Sequence, residues 1–130
     1  LYGDLAGGLA VISDVLKTDV YKLALWINER ENIIPQNIID KPPSAELRPD
    51  QKDQDSLPEY ELLDQVIIEY MENHKDLRLI AQEIDISLDE LQDIASKIHL
   101  SEYKRRQSPL GLRVSKKSFS VGRFFPIVHK

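Results

Sequence analysis

Apolar residues recur at helical spacing in four stretches of the chain. The members of each stretch fall on one face of a helix with about 3.6 residues per turn, and in the last three stretches polar residues occupy most other positions. The four sets are Val20, Leu23, Ala24 and Ile27; Leu63, Val66, Ile67 and Tyr70; Leu77, Ile80, Ala81 and Ile84; and Leu91, Ile94, Ala95 and Ile98. The pattern predicts amphipathic helices, so we expect a mainly α fold.

Polar residues ahead of these stretches indicate where the helices begin. Asp14 or Thr18 is the candidate N-cap of the first helix. The stretches 56–59 and 87–90 each carry a serine and a glutamate three residues apart, which predicts a capping box at both places. The helix that follows the first box is predicted to run over 58–73.

The segment 40–57 does not fit the helical pattern. It contains three prolines and four aspartates but only two large apolar residues, so it can neither continue a helix nor form a core. A connection of this length is usually either functional or disordered, and composition alone favours a disordered linker. In the functional interpretation it is a substrate-closing loop that presents the Ser44 hydroxyl, since Pro42 and Pro43 hold the preceding backbone extended.

Two groups of cations are candidates for binding an anion. Lys17 lies at the start of the first predicted helix, where the helix dipole disfavours a positive charge unless an anion is present, although a solvated surface lysine would also fit. Lys104, Arg105 and Arg106 form the densest positive cluster. They could clamp the anionic groups of a small ligand, or the two arginines could simply pair with acidic helices nearby.

The basic cluster also permits a nucleic-acid interpretation. The helices predicted around 77–84 and 88–98 are joined by a tight turn, as in a helix-turn-helix, whose second helix would enter the major groove. However, Asp89, Glu90 and Asp93 occupy the opening turns of that second helix, where they would repel phosphates. This interpretation is therefore the weaker alternative.

Composition narrows the possible classes. The chain has 130 residues, a net charge of -5 and no cysteine. We therefore expect no general affinity for nucleic acid or an anionic membrane, no disulfide and no thiolate site. No apolar run is long enough to span a bilayer, which makes the cytoplasm the expected compartment.

Both ends of the chain suggest a piece of a larger assembly. The opening Leu1 is not a natural beginning, so we expect the chain to be the C-terminal portion of a longer protein. The segment 112–130 is basic and irregular, and it is predicted to be a docking tail anchored by Phe119, Phe124 and Phe125.

Five segments, taken together and in order, resemble the glutamine-dependent branch of the NAD synthetase family. They are Tyr-Gly-Asp-Leu-Ala-Gly-Gly at 2–8, Asp-Val-Leu-Lys-Thr-Asp-Val-Tyr at 14–21, Lys-Pro-Pro-Ser-Ala-Glu-Leu-Arg-Pro at 41–49, Asp-Gln-Asp-Ser-Leu-Pro at 53–58 and Ser-Glu-Tyr-Lys-Arg-Arg-Gln at 101–107. Each motif alone is weakly specific, but together they extend over most of the chain. The resemblance implies that 1–130 is the C-terminal, helical portion of a Rossmann-like α/β synthetase domain of the ATP-pyrophosphatase type.

The resemblance also implies an activity for the full-length protein. Enzymes of this family use ATP to adenylate deamido-NAD, and ammonia then displaces AMP to give NAD. In the glutamine-dependent branch a separate amidase domain supplies the ammonia, and the enzyme is expected to be at least a dimer. The family's phosphate loop, a Ser-Gly-Gly-x-x-Ser type of sequence, is absent from the chain. It is expected upstream together with the magnesium ligands, so the chain alone is expected to be inactive.

By position, the resemblance assigns roles to four residues. Lys17 matches a lysine that binds ATP, and Ser44 replaces a threonine that binds the ATP phosphates. Lys104 matches a lysine that contacts deamido-NAD. The adjacent Tyr103, which stands where the ammonia-dependent branch often has histidine, is expected to bind deamido-NAD with it. The segment 41–57 matches a loop that orders when substrates bind. No residue of the chain is assigned a catalytic role or a metal ligand.

Overall fold

The computed structural model describes residues 6–44, 47–118, 122 and 124–128. Its helices are α1 (Lys17–Glu31), α2 (Gln36–Asp40), α3 (Tyr60–Ile67), α4 (Leu77–Ile84), α5 (Leu88–Leu100) and α6 (Glu102–Gln107), with a 3-10 helix at Asp53–Asp55 and a π-helix at Ile68–Glu72 that continues α3. Strands β1 (Leu9–Ala10) and β2 (Leu110–Gly111) pair in parallel, with Leu9 opposite Leu110. The described residues are thus mostly helical, as the apolar spacing predicts, with one small parallel sheet.

These residues form two compact units. One unit is Leu16–Asp64, and the other comprises the rest of the described chain. The larger unit contains the apolar core, in which α4 packs against α5 and the π-helix, and α5 packs against α6. Its buried apolar side chains are Val66, Met71, Ile80, Leu91, Ile94 and Ala95. All but Met71 belong to the predicted apolar faces, because helical spacing identifies the side of each helix that must leave water.

The serine half of the capping box predicted for α5 is confirmed. The Ser87 hydroxyl accepts a hydrogen bond from the Glu90 amide at 3.2 Å. Asp76 caps α4 in the same way, accepting from the Arg78 amide at 2.8 Å. Each acceptor satisfies one of the amides that a helix leaves unpaired in its first turn.

The predicted starts of α1 and α3 are wrong. Helix α1 begins at Lys17 after Leu16, which offers no side-chain cap, and Thr18 lies within the first turn. Helix α3 begins at Tyr60 rather than at 58, and the Leu63 amide donates to the carbonyl of Glu59. Ser56 is therefore too far from the first turn to cap it, and it follows the 3-10 helix instead.

Asp14, the other predicted N-cap of α1, binds backbone amides near β2 instead. Its buried carboxylate accepts hydrogen bonds from the amides of Val114 and Ser115, both at 2.8 Å. The parallel pairing of β1 with β2 brings the segment after β2 beside the turn after β1, and this places the two amides within reach. A local capping rule cannot predict such a partner, because the carboxylate and the amides are about a hundred residues apart.

The unit Leu16–Asp64 has much less burial. Helix α1 has no buried residue, and Leu23, Leu25 and Trp26 are exposed on it. Among the described residues of this unit, the buried one is Asp64. The unit is therefore held by hydrogen bonds and half-buried contacts more than by a core. No helix in the described part of the chain is both long and apolar enough to cross a membrane.

Candidate functional site

Lys17 is the first residue of α1, close to the unpaired amides of that helix. Because Leu16 provides no cap, the Thr18 amide is satisfied instead by the Asp64 carboxylate of α3, at 2.8 Å. Asp64 is buried, so its negative charge is poorly screened by water. The negative charge of Asp64 is attracted to the positive end of the α1 dipole. It therefore offsets part of the electrostatic cost of placing the Lys17 ammonium group at this helix end.

Two tyrosine rings flank the ammonium group of Lys17. Its Nζ atom lies 5.6 Å from the centre of the Tyr21 ring and 5.7 Å from the centre of the Tyr60 ring. A cation is attracted to the electron-rich face of an aromatic ring at this range. The rings restrict the position of the charge without neutralising it, so the ammonium group can still bind an anion.

A cavity of about 440 Å³ opens beside Lys17. Its polar lining comes from Lys17, Tyr21, Lys41 and Ser44, and its apolar lining from Val20, Ala24, Ile34, Ile38, Ile39, Pro42 and Pro43. The volume lies within the range of small-molecule sites, which combine mostly apolar walls with a few polar groups. The structure thus brings the sequence-predicted Lys17 and Ser44 to the same cavity, together with a second lysine.

A short neck, formed by Pro43, Asp53 and Tyr60, joins the two sides of the segment 41–57. The Asp53 amide donates to the carbonyl of Pro43 at 3.0 Å, and the Asp53 side chain accepts a hydrogen bond from the Tyr60 hydroxyl. Within the loop, the Leu47 amide donates to the Gln51 side chain at 3.0 Å. A second cavity of about 330 Å³ is lined by Lys41, Pro42, Ser44, Arg48, Asp50, Gln51 and Lys52. Ser44 contributes to both cavities, directly after the neck.

The other two predicted residues lie in the larger unit. Tyr103 and Lys104 are exposed on α6. The adjacent Glu102 is almost completely buried, with 1% of its side chain exposed. It binds two arginines: Arg105 donates through Nε at 3.2 Å and Nη2 at 3.0 Å, and Arg106 donates through Nε at 3.0 Å.

Glu102 and its arginines connect α6 to two neighbouring segments. Arg105 also donates to the carbonyl of Ile98 in α5 at 2.6 Å, and Arg106 donates to the carbonyl of Phe125 at 3.1 Å. Burial disfavours the ionised form of Glu102, but hydrogen bonds from Arg106, Arg105 and the Phe125 backbone outweigh it, so the pKa of Glu102 is lowered. In the predicted basic cluster, Arg105 and Arg106 therefore make hydrogen bonds within the chain.

Aromatic contacts hold part of the predicted tail. The Phe125 ring stacks on Tyr70 with 6.3 Å between ring centres and lies 4.3 Å from the ring of His99. The Tyr70 hydroxyl and His99 Nε2 are 2.8 Å apart. Phe124 is exposed, with the Arg106 guanidinium 5.4 Å from its ring centre, and the predicted anchor Phe119 lies outside the described residues. Phe125 is thus the tail residue with extensive ring contacts in the described chain.

The site does not fit a magnesium ion by itself. Magnesium prefers carboxylate, phosphate and water oxygens. The larger cavity is lined by two lysines, a serine and a tyrosine, and the described residues contain no group of three His, Cys, Asp or Glu side chains that could hold a metal. What the arrangement can do is hold an anionic group between ammonium and hydroxyl donors.

Three contributors to the site were missed by sequence reasoning. Tyr21 follows Lys17 by one helical turn, so i to i+4 spacing could have identified it. Asp64 and Tyr60 carry no comparable signal, because each reaches its partner through the tertiary fold.

Comparisons with known proteins agree with the resemblance. The model of the NAD synthase family matches residues 1–108. The glutamine-dependent NAD(+) synthetase of Thermotoga maritima is 44% identical over 132 aligned residues, which cover 100% of this chain and 23% of that protein. The corresponding protein of Acinetobacter baylyi is 45% identical, over 99% of this chain and 24% of its own length.

A solved structure gives a similar result. The glutamine-dependent NAD+ synthetase of Acinetobacter baumannii, in complex with ADP, is 29% identical with a TM-score of 0.52, covering 88% of this chain and 19% of that chain. The chain thus spans about a quarter of the length of the curated relatives it matches. These comparisons give no support to the helix-turn-helix alternative. The family match and the agreement with the relatives across its whole length show that this chain belongs to the NAD synthase family.

Proposed function

We propose that the full-length protein containing this chain is a glutamine-dependent NAD synthetase. In this reaction a carboxylate oxygen of deamido-NAD attacks the α-phosphorus of ATP and pyrophosphate leaves. Ammonia then attacks the activated carbonyl carbon, AMP leaves, and the nitrogen loses a proton to give the amide of NAD. The family membership and the names of the relatives support this proposal.

The observation that carries the proposal is the shared cavity of Lys17 and Ser44. The two residues come from separate segments, yet both line one cavity of about 440 Å³ that also contains Lys41. Two ammonium groups and a hydroxyl suit the polyanionic phosphates of ATP, since charged donors make the stronger hydrogen bonds. In the proposed enzyme, Lys17 and Ser44 bind these phosphates, and 41–57 is the loop that closes over the substrates.

The remaining roles follow from the same proposal. Lys104, with Tyr103 beside it, contacts deamido-NAD from the exposed side of α6. The phosphate loop and the magnesium ligands come from the upstream half of the synthetase domain, whose Rossmann-like core this helical portion would complete. A glutamine amidase domain of the same protein supplies ammonia, the tail 112–130 docks onto the assembly, and the enzyme is a cytoplasmic homo-oligomer.

Substitutions at the cavity test the proposal in the full-length protein. Ser44→Ala removes one hydrogen bond to a charged group, worth about 1.5–3 kcal/mol, so kcat/KM for ATP should fall roughly ten- to a hundredfold. Ser44→Thr keeps the hydroxyl and should retain most of the activity. Lys17→Gln should also reduce ATP use, because it removes a positive charge from the cavity.

Lys22→Gln is the matched control for Lys17. Lys22 lies on the same helix, is 73% exposed and pairs with Asp19, so its loss should leave NAD formation unchanged within about twofold. A full-length protein that forms no NAD from deamido-NAD, ATP, magnesium and glutamine would overturn the proposed function. Normal ATP kinetics in Ser44→Ala would remove Ser44 from the site.

A further inference from the structure

We infer that Tyr60 is a positioning residue that holds both Lys17 and the neck of the loop 41–57 in place for ATP. The inference rests on the proposed function and adds a residue to which neither the sequence motifs nor the resemblance assigns a role. Tyr60 is the first residue of α3, and it is half-buried. Its ring and its hydroxyl have separate partners, which allows the two contributions to be tested independently.

The ring of Tyr60 faces Lys17. The distance of 5.7 Å from the ring centre to Nζ matches the 5.6 Å on the Tyr21 side. Lys17 is half-buried, on a helix that contributes no fully buried side chain. The two rings therefore add to the order of an ammonium group on a long, flexible side chain.

The hydroxyl of Tyr60 holds the loop. It donates to the Asp53 carboxylate, and the Asp53 amide in turn donates to the carbonyl of Pro43 at 3.0 Å. Ser44 follows Pro43 directly. Burial and the hydrogen bond to Asp53 raise the pKa of Tyr60 above its ordinary value of 10.0, so the hydroxyl keeps its proton and stays a donor at neutral pH.

These contacts form a continuous path between Lys17 and Ser44, the two residues proposed to bind ATP. It runs from the Lys17 ammonium to the Tyr60 ring, from the Tyr60 hydroxyl to Asp53, and from the Asp53 amide to the residue before Ser44. One side chain thus fixes the separation of two groups that bind the same ligand. Pre-arranging them lowers the ordering that ATP must impose when it binds.

Steady-state kinetics of the full-length protein test the inference. Tyr60→Phe keeps the ring but removes the hydroxyl. Because ATP must then order the loop neck, we expect kcat/KM for ATP to fall roughly tenfold, mainly through a higher KM. Tyr60→Leu also removes the ring beside Lys17 and should lose roughly a further two- to fivefold. A purely structural role would lower the amount of folded enzyme, and hence kcat, without this rise in KM.

A double-mutant cycle identifies the partner. Asp53→Ala should resemble Tyr60→Phe, and the double variant should be no worse than either single variant, because both break the same hydrogen bond. Asp55→Ala is the matched control, since Asp55 also lies in the 3-10 helix but binds the Lys52 amide at 2.9 Å. Its effect should add to that of Tyr60→Phe. Additive effects of Tyr60→Phe and Asp53→Ala, or a Tyr60→Phe enzyme within twofold of wild type, would overturn the inference.

Hydrogen exchange separates failure of the inference from failure of the proposed function. If the wild-type protein forms no NAD, the proposed function fails, and the loop neck is then measured without substrates. Tyr60→Phe should speed amide exchange in peptides covering 43–53 roughly tenfold, with exchange in α5 unchanged. Unchanged exchange over 43–53 would overturn the positioning role in the ligand-free protein as well.

Discussion

Replacing Glu102 by glutamine removes the charge that binds two arginines beneath the exposed face of α6. The new side chain has nearly the same shape, so the substitution changes electrostatics and hydrogen bonding rather than volume. The three hydrogen bonds from guanidinium groups, at 3.0–3.2 Å, use both carboxylate oxygens. Glutamine loses those at the position taken by its NH2 group, which cannot accept, and weakens those at its remaining oxygen, because a neutral amide is a poorer acceptor than a carboxylate. We therefore expect α6 to open more readily.

The magnitude follows from the burial of the partners. Removing one member of a buried ion pair costs about 3–5 kcal/mol, because the other charge is left without compensation. Glu102 is 1% exposed and Arg105 is 15% exposed, but Arg106 is 42% exposed and can regain water. We therefore expect the free energy of opening to fall by about 2–3 kcal/mol, which corresponds to roughly 30- to 160-fold faster amide exchange in α6.

Hydrogen exchange followed by mass spectrometry measures this change in peptides that cover 101–107. Asp93→Asn in α5 is the matched control, because it also removes a carboxylate from an ion pair within the same unit. Asp93 and Lys97 are 62% and 42% exposed, so that pair should contribute about 0.5 kcal/mol or less, near a twofold change. If Glu102→Gln changes exchange in α6 no more than Asp93→Asn does, then Glu102 does not organise this helix.

Three further outcomes are expected. The pKa of Glu102 is lowered by folding, so its contribution to stability is fully present above its unfolded pKa near 4.5 and is lost as the pH falls through its folded pKa. In an acid titration, the free energy of unfolding should therefore decrease below about pH 4.5, and this decrease should be smaller in Glu102→Gln. Asp64→Ala should destabilise the first turn of α1 by about 1 kcal/mol, seen as roughly fivefold faster exchange at Thr18, whereas exchange equal to wild type would mean that the Asp64 contact is not a cap. The 130-residue chain alone should form no NAD from deamido-NAD, ATP, magnesium and ammonia, since its sequence lacks the phosphate loop, and chromatographic detection of NAD would refute this.

The sequence predicted the helices well where burial decides the structure. The faces that contain Val66, Ile80 and Leu91 were recognisable because a core helix must repeat its apolar residues with the helical period. The predicted cap at Ser87 was also correct, since its partner lies three residues away. Asp14 and Asp64 could not be placed by the same rules. Both carboxylates accept from amides far away in the chain, and capping rules consider neighbouring residues only.

The candidate site shows the same division. Lys17 and Ser44 were identified through the family resemblance, and the structure adds that they line one cavity. Tyr60 was missed because helical spacing indicates which face a residue occupies, but not which cation or carboxylate outside its own helix the side chain will contact. Glu102 could have been found, since Arg105 and Arg106 follow it at the i+3 and i+4 spacing at which opposite charges pair on a helix.

The carboxylate of Asp14 has a consequence for the order of folding. Its two amide partners lie about a hundred residues further along the chain, and β1 meets β2 across a similar separation. Closing so long a span has an entropic cost that is offset only when the contacts between its two ends have formed. The helices between them, in contrast, form from local interactions. We therefore expect the strand pair to assemble last, as the step that ties the chain's two distant regions together after α4 and α5 have packed.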